Sequence, residues 1–150
     1  MVENLLTKAL REKVEEAVKD YRLPVKNGVP RAPNVLNGEL PPKRSNVNDD
    51  FPFVVVRAVS GSVNENSTEF TIDIIIGCYT EEYDGHEYCL NVASRIRNAL
   101  TTMKDARLED KYILQFPINW DNLPAHPYPQ WQITMTTKWI YRTTVNDFEC

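Results

Sequence analysis

The chain is 150 residues and 17.3 kDa, the size of one domain, and a chain of this length buries about 70% of its unfolded surface without needing a disulfide, a metal or a partner. Its 42% hydrophobic and 25% charged residues exclude a disordered, collagen-like or coiled-coil chain. Seventeen basic against 21 acidic residues give a net charge of −4, the wrong sign for a protein that grips duplex nucleic acid with a basic surface.

The N-terminal segment is the first strong pattern. Val2, Leu5, Leu6, Ala9, Leu10, Val14, Ala17, Val18 and Tyr21 recur at three- and four-residue steps, which predicts an amphipathic helix over 2–21 stopped by Pro24. Lys8 with Glu12, Arg11 with Glu15 and Glu15 with Lys19 are opposite charges four apart on its wet face. Residues 23–50 carry five prolines and two Asn-Gly steps and read as a long irregular arm. Val25, Val29, Val35, Leu36 and Leu40 are too apolar for a plain linker, so the arm is expected to lie on a surface, its own or a neighbouring subunit's.

Phe53–Val59 is β-branched and predicts a strand, with Ser60-Gly61 and Asn64–Asn66 as the turn. The next strand, Phe70–Tyr79, alternates Phe70, Ile72, Ile74, Ile76 and Cys78 against a mixed face. Asp84 with Glu87 resembles a capping box, opening a helix with the buried stripe Tyr88, Cys89, Val92, Ala93, Ile96, Ala99, Leu100 and Met103, ending near Thr102. Tyr112–Trp120 predicts a strand in which Pro117 marks an edge or a bulge. Trp131–Arg142 predicts the last, with Trp131, Ile133, Met135, Thr137, Trp139 and Tyr141 on one face. The expected fold is α+β, one domain over 1–150: a mainly antiparallel four-stranded sheet with two principal helices packed on it, in the order α-β-β-α-β-β.

Chemistry is weakly signalled. His86 and Cys89 have an H-x-x-C spacing, with Cys78 and His126 elsewhere, but a structural zinc site shows two paired-ligand clusters, and Cys89 falls on a buried stripe. Ser94 or Cys89 with His86 and Asp84 is a conceivable nucleophile set without any supporting motif. The expectation is no catalytic residue, no metal ligand and no cofactor. Three cysteines, Cys78, Cys89 and Cys150, and an N-terminus without a basic region followed by an apolar block argue against a secreted disulfide scaffold. The longest apolar runs, Val54–Val56 and Ile74–Ile76, fall far short of the roughly 20 residues that span a bilayer.

Four stretches carry a resemblance: Asp50–Arg57 opening the first strand, Phe70–Tyr79, Asp84-Gly85 leading into Tyr88–Leu100, and Ile118-Asn119-Trp120 followed by Pro129–Ile133. In pattern and order they resemble the tail terminator (tail completion) proteins of long-tailed bacteriophages. The resemblance implies a non-enzymatic virion subunit that forms a hexameric ring, caps the head-proximal end of the tail tube, stops tube elongation and provides the head-joining surface. Implied partners are other copies of the chain, the tail tube protein and a head-side neck or connector protein. DNA passes through without specific binding, and no membrane is involved; the location is the tail, after assembly in the host cytoplasm. A connector, stopper or tube subunit is the nearest alternative, and a free-standing small-ligand module or enzyme the more distant one. Within a ring, Val35, Leu36 and Leu40 of the arm and Val55, Val59, Ile75 and Tyr79, on strand faces opposite the expected core, are the interface candidates. Glu81, Glu82 and Asp84 are the acidic candidates for a pore-facing edge; otherwise they form a solvated loop at a helix start.

Overall fold

The computed structural model describes residues 2–25, 28–38, 51–81, 85–122 and 129–142. In chain order it contains α1 (Val2–Val18), β1 (Asn34–Asn37), β2 (Phe53–Val63), β3 (Ser67–Tyr79), α2 (His86–Thr101), a 3-10 turn (Lys104–Ala106), β4 (Arg107–Leu108), β5 (Tyr112–Asn122) and β6 (Gln130–Arg142). The strands form one sheet in the order β1-β2-β3-β6-β5-β4.

The α+β class and the two helices agree with expectation, but the sheet is six-stranded and mixed rather than four-stranded and antiparallel. The four expected strands are its centre. β4 adds a two-residue antiparallel pairing against the start of β5, through a turn in which Glu109 and Asp110 both have positive φ, as a tight hairpin twist requires. β1 comes from the arm and runs parallel to β2, Asn34 opposite Phe53 and Asn37 opposite Val56. The β1 part of the arm therefore packs on its own subunit, while Val29 is 83% exposed. Leu23 is fully buried and bridges to Arg31, whose guanidinium donates to the carbonyls of Phe51 and Pro52.

Both helices lie on one face of the sheet in a single core. Leu6, Leu10, Val14 and Val18 of α1 and Cys89, Val92, Ile96 and Leu100 of α2 meet the buried alternating residues of β2, β3 and β6. Phe70, Ile72, Ile74, Ile76 and Cys78 are all buried, as are Ile133, Met135, Thr137 and Trp139, so the period-two patterns of β3 and β6 locate the core correctly. α1 ends at Val18, before the expected Tyr21, and closes with the Tyr21 amide donating to the Val18 carbonyl. Arg11 pairs with Glu15 as expected at 2.6 Å, whereas Lys19 pairs with Glu16, 2.7 Å away, instead of Glu15.

Three local features shape the surface of the sheet. β2 continues through Gly61 to Val63, so the reversal is at Asn64–Asn66 alone, with Asn64 donating to the Ser67 carbonyl. α2 has Gly85 as its N-cap with no side-chain cap bond, and Asp84 of the expected capping box lies outside the described residues. Gly85 is needed there for space: an added Cβ would sit 2.3 Å from the indole nitrogen of Trp131, which donates to the Thr80 carbonyl at 3.1 Å. Finally, the register of β5 slips between Gln115 and Asn119, the bulge that Pro117 predicted. It turns Phe116 out to 62% exposure and leaves Trp120 at 48%, while Leu114 is buried.

Candidate functional site

The face of the sheet opposite the helices carries a second, smaller apolar cluster. Phe51, Phe53, Val55 and Tyr79 are buried together, with Ile75 packed on them. Phe53 lies directly across from Gly77 and Val55 across from Ile75. The missing side chain at Gly77 makes room for both rings, which stack tilted with centroids 4.9 Å apart. Val55 and Tyr79, expected to need a neighbouring subunit or the arm as cover, are only 2% and 8% exposed because their own chain covers them.

The other interface candidates separate. Leu36 is partly buried and sits beside Val55 in register. Val35 instead packs against the main core, on the helix side of the sheet. Val59 is the extra residue where the β2–β3 register shifts between Ala58 and Ser60, and remains 53% exposed. Leu40, Glu82 and Asp84 lie outside the described residues. Glu81 is exposed, and its carboxylate accepts from the Tyr79 hydroxyl at 3.2 Å.

What the residues alone did not reveal is where apolar surface is left over. Among the described residues β1 covers only Phe53–Val56 of β2 and the Gly38 carbonyl accepts from Arg57, so 58–63 is an edge with no described partner strand, carrying Val59 and Val63, the latter 71% exposed. On the opposite side, among the described residues β4 covers only Tyr112 and Ile113 of β5, so 114–122 is a second edge with no described partner strand, carrying Phe116 and Trp120. Between α2 and this edge runs a groove of about 150 Å³ lined by Leu90, Ala93, Arg97, Ile118, Trp120 and Met135. The signals for both edges were present: Pro117 inside an alternating strand, and Val63 directly beside the turn.

The nucleophilic and metal-ligating candidates have structural partners. Among the described residues no three His, Cys, Asp or Glu side chains group so as to hold a metal ion; His126 lies outside them. His86 is half-buried, its ring centroid 6.3 Å from that of Trp131. Ser94 accepts from Arg97 at 3.1 Å. Cys78 and Cys89 are both fully buried free thiols, and the Cys89 thiol donates to the Trp131 carbonyl at 3.4 Å. A hydrogen bond to Cys89, reinforced by burial, holds the Cys78 thiol well above its ordinary value. The folded state thus keeps Cys78 protonated where the unfolded chain would ionise, so its contribution to stability is complete below the ordinary thiol range and is lost as pH rises toward the raised value. Urea midpoints measured from neutral to alkaline pH should therefore fall, and fall less steeply in Cys78→Ala. In the native protein both thiols should resist alkylation until denaturant is added.

Among the described residues no helix is long and apolar enough to cross a membrane. In comparison with known proteins, the chain matches no protein-family model and no curated protein.

Proposed function

We propose that this chain is a phage tail terminator: a virion subunit that closes into a hexameric ring, caps the head-proximal end of the tail tube, stops its elongation and offers the surface to which the head joins. One observation of the structure carries most weight. The two open sheet edges bear exposed apolar residues of different shape, Val59 and Val63 on one and Phe116 and Trp120 on the other. Two unlike patches on opposite sides of a small subunit suit a head-to-tail contact, which generates a ring when the rotation between neighbours closes. Exposed apolar groups in such positions commonly mark interaction surfaces. The net charge of −4 suits a conduit that DNA traverses without sticking, with the exposed Glu81 as one group for its wall.

The test combines native mass spectrometry of the purified chain with electron microscopy of tail tubes to which it is added. The expected result is a closed ring seated on one end of the tube and an end to further tube growth. A chain that stays monomeric both alone and with tubes would overturn the proposal. A ring found only on the head side of the neck would replace it with a connector or stopper role.

A further inference from the structure

Resting on that ring-forming role, we propose that the β2–β3 hairpin tip of one copy docks in the α2–β5 groove of the next, with Val63 against Trp120 and Ile118 and Glu65 against Arg97. The hairpin supplies the entering half of such a joint, its turn 64–66 standing just past the sheet end, where Val63, Thr68, Tyr141 and Tyr112 form one row. Beyond the cover of β1, β2 presents six exposed residues from Ala58 to Val63, about 20 Å of edge strand at roughly 3.3 Å per residue, paired on its other side with β3. Its tip is small and mixed in character: Val63 is exposed, and the turn Asn64-Glu65-Asn66 adds a carboxylate with no ion pair among the described residues.

The groove supplies the receiving half. Its floor is apolar, formed by Ile118, Trp120 and Met135, with Ala93 of α2 as the opposite wall. Arg97 stands at the rim, exposed, its guanidinium spent only on the Ser94 hydroxyl, and it pairs with no carboxylate among the described residues. A half-exposed Trp over an apolar floor with a cation beside it is the composition that dominates binding energy in protein interfaces. The unpaired cation selects an acidic partner, and the chain's own hairpin tip combines an exposed carboxylate with an exposed apolar residue.

Strand-to-strand pairing, the other way to use an open edge, is disfavoured on the β5 side. Pro117 removes a backbone donor in the middle of the edge, and the slip between Gln115 and Asn119 breaks its line of hydrogen-bonding groups. Side-chain insertion beside the edge needs neither. The hairpin leaves β3 at the end that pairs with Arg142 of β6, while the groove lies near Met135, so the two halves are separate patches on the subunit, as a head-to-tail contact between successive copies requires.

The test uses full-length protein carrying Val63→Asp, Glu65→Arg, Arg97→Glu, or the last two together, with ring formation followed by sedimentation velocity and folding by circular dichroism. All the changed side chains are exposed, so thermal unfolding should stay near that of the parent. Val63→Asp should weaken self-association by about tenfold or more. Glu65→Arg and Arg97→Glu should each weaken it, and the pair together should restore it to within about threefold of the parent, because opposite charges then face each other again. Rings that form normally in every variant would overturn this contact while leaving the ring itself intact. Parent protein that forms no ring either alone or on tail tubes would overturn both. Rings that persist in Val63→Asp but no longer seat on tubes would reassign the hairpin to the tube protein.

Discussion

Replacing Trp139 by alanine is expected to cost about 3–5 kcal/mol, the largest effect of any single core substitution in the chain. Trp139 heads the fully buried side chains by volume and sits between Phe70 of β3 and Leu114 of β5 in register. It also holds Thr137, the one fully buried polar residue among those described, in a short relay. The indole N–H donates to the Thr137 hydroxyl oxygen at 2.8 Å, and that hydroxyl donates to the Ile72 carbonyl at 2.8 Å. Truncation opens a cavity at the centre of the sheet and strips the hydroxyl of its donor. Thr137→Val isolates the second effect: the volume is nearly kept, but the indole N–H is left buried without an acceptor, at a cost of about 1–3 kcal/mol. Because both variants break the same bond, the double variant should be less destabilised than the sum of the two. Urea unfolding monitored by circular dichroism measures all three. A Trp139→Ala midpoint close to the parent's would mean that the core is not centred on β6.

The parts of this fold that were legible in the residues are those whose burial pattern is local. The alternation in β3 and β6 and the stripe of α2 each depend on one element meeting one layer, so their periodicities locate the core. β1 was not legible because four residues, Asn34–Asn37, have no room to show a period, and their partner is a parallel strand some 19 positions away. The outer cluster failed for a related reason. Val55 and Tyr79 sit on the face opposite the core, and only the register that sets Phe53 across from Gly77 shows that the chain covers them itself. A glycine between Ile76 and Cys78 in a strand of β-branched residues was the available clue, since such a position often marks a close approach by another group. The apolar edges were hidden by strand length: extending β2 past Gly61 carries Val63 beyond the reach of β1, and the slip at Pro117 turns Phe116 outward.

Gly77→Ala tests that outer cluster and is expected to cost on the order of 3 kcal/mol, combining overpacking with the partial exposure of two phenylalanine rings. The glycine is there for space, since its φ lies outside the positive range that only glycine favours. A methyl group at this position would lie 2.3 Å from two carbons of the Phe53 ring and 2.9 Å from one of Phe51. The strand beneath is pinned on both sides by its pairings with β2 and β6, so the rings must lift. Lifting them uncovers Val55 and Tyr79, and dye binding to exposed apolar surface should rise along with the loss of stability. Shortening the obstructing ring should compensate: Gly77→Ala with Phe53→Leu is expected to be more stable than the sum of the two single changes. The hairpin and the α2–β5 groove lie away from this cluster, so Gly77→Ala should leave the charge-pair rescue between Glu65 and Arg97 unchanged at temperatures where the protein remains folded. A neutral Gly77→Ala would have the opposite meaning. It would place the rings off the strand and return Val55 and Tyr79 to the surface available to a neighbouring subunit.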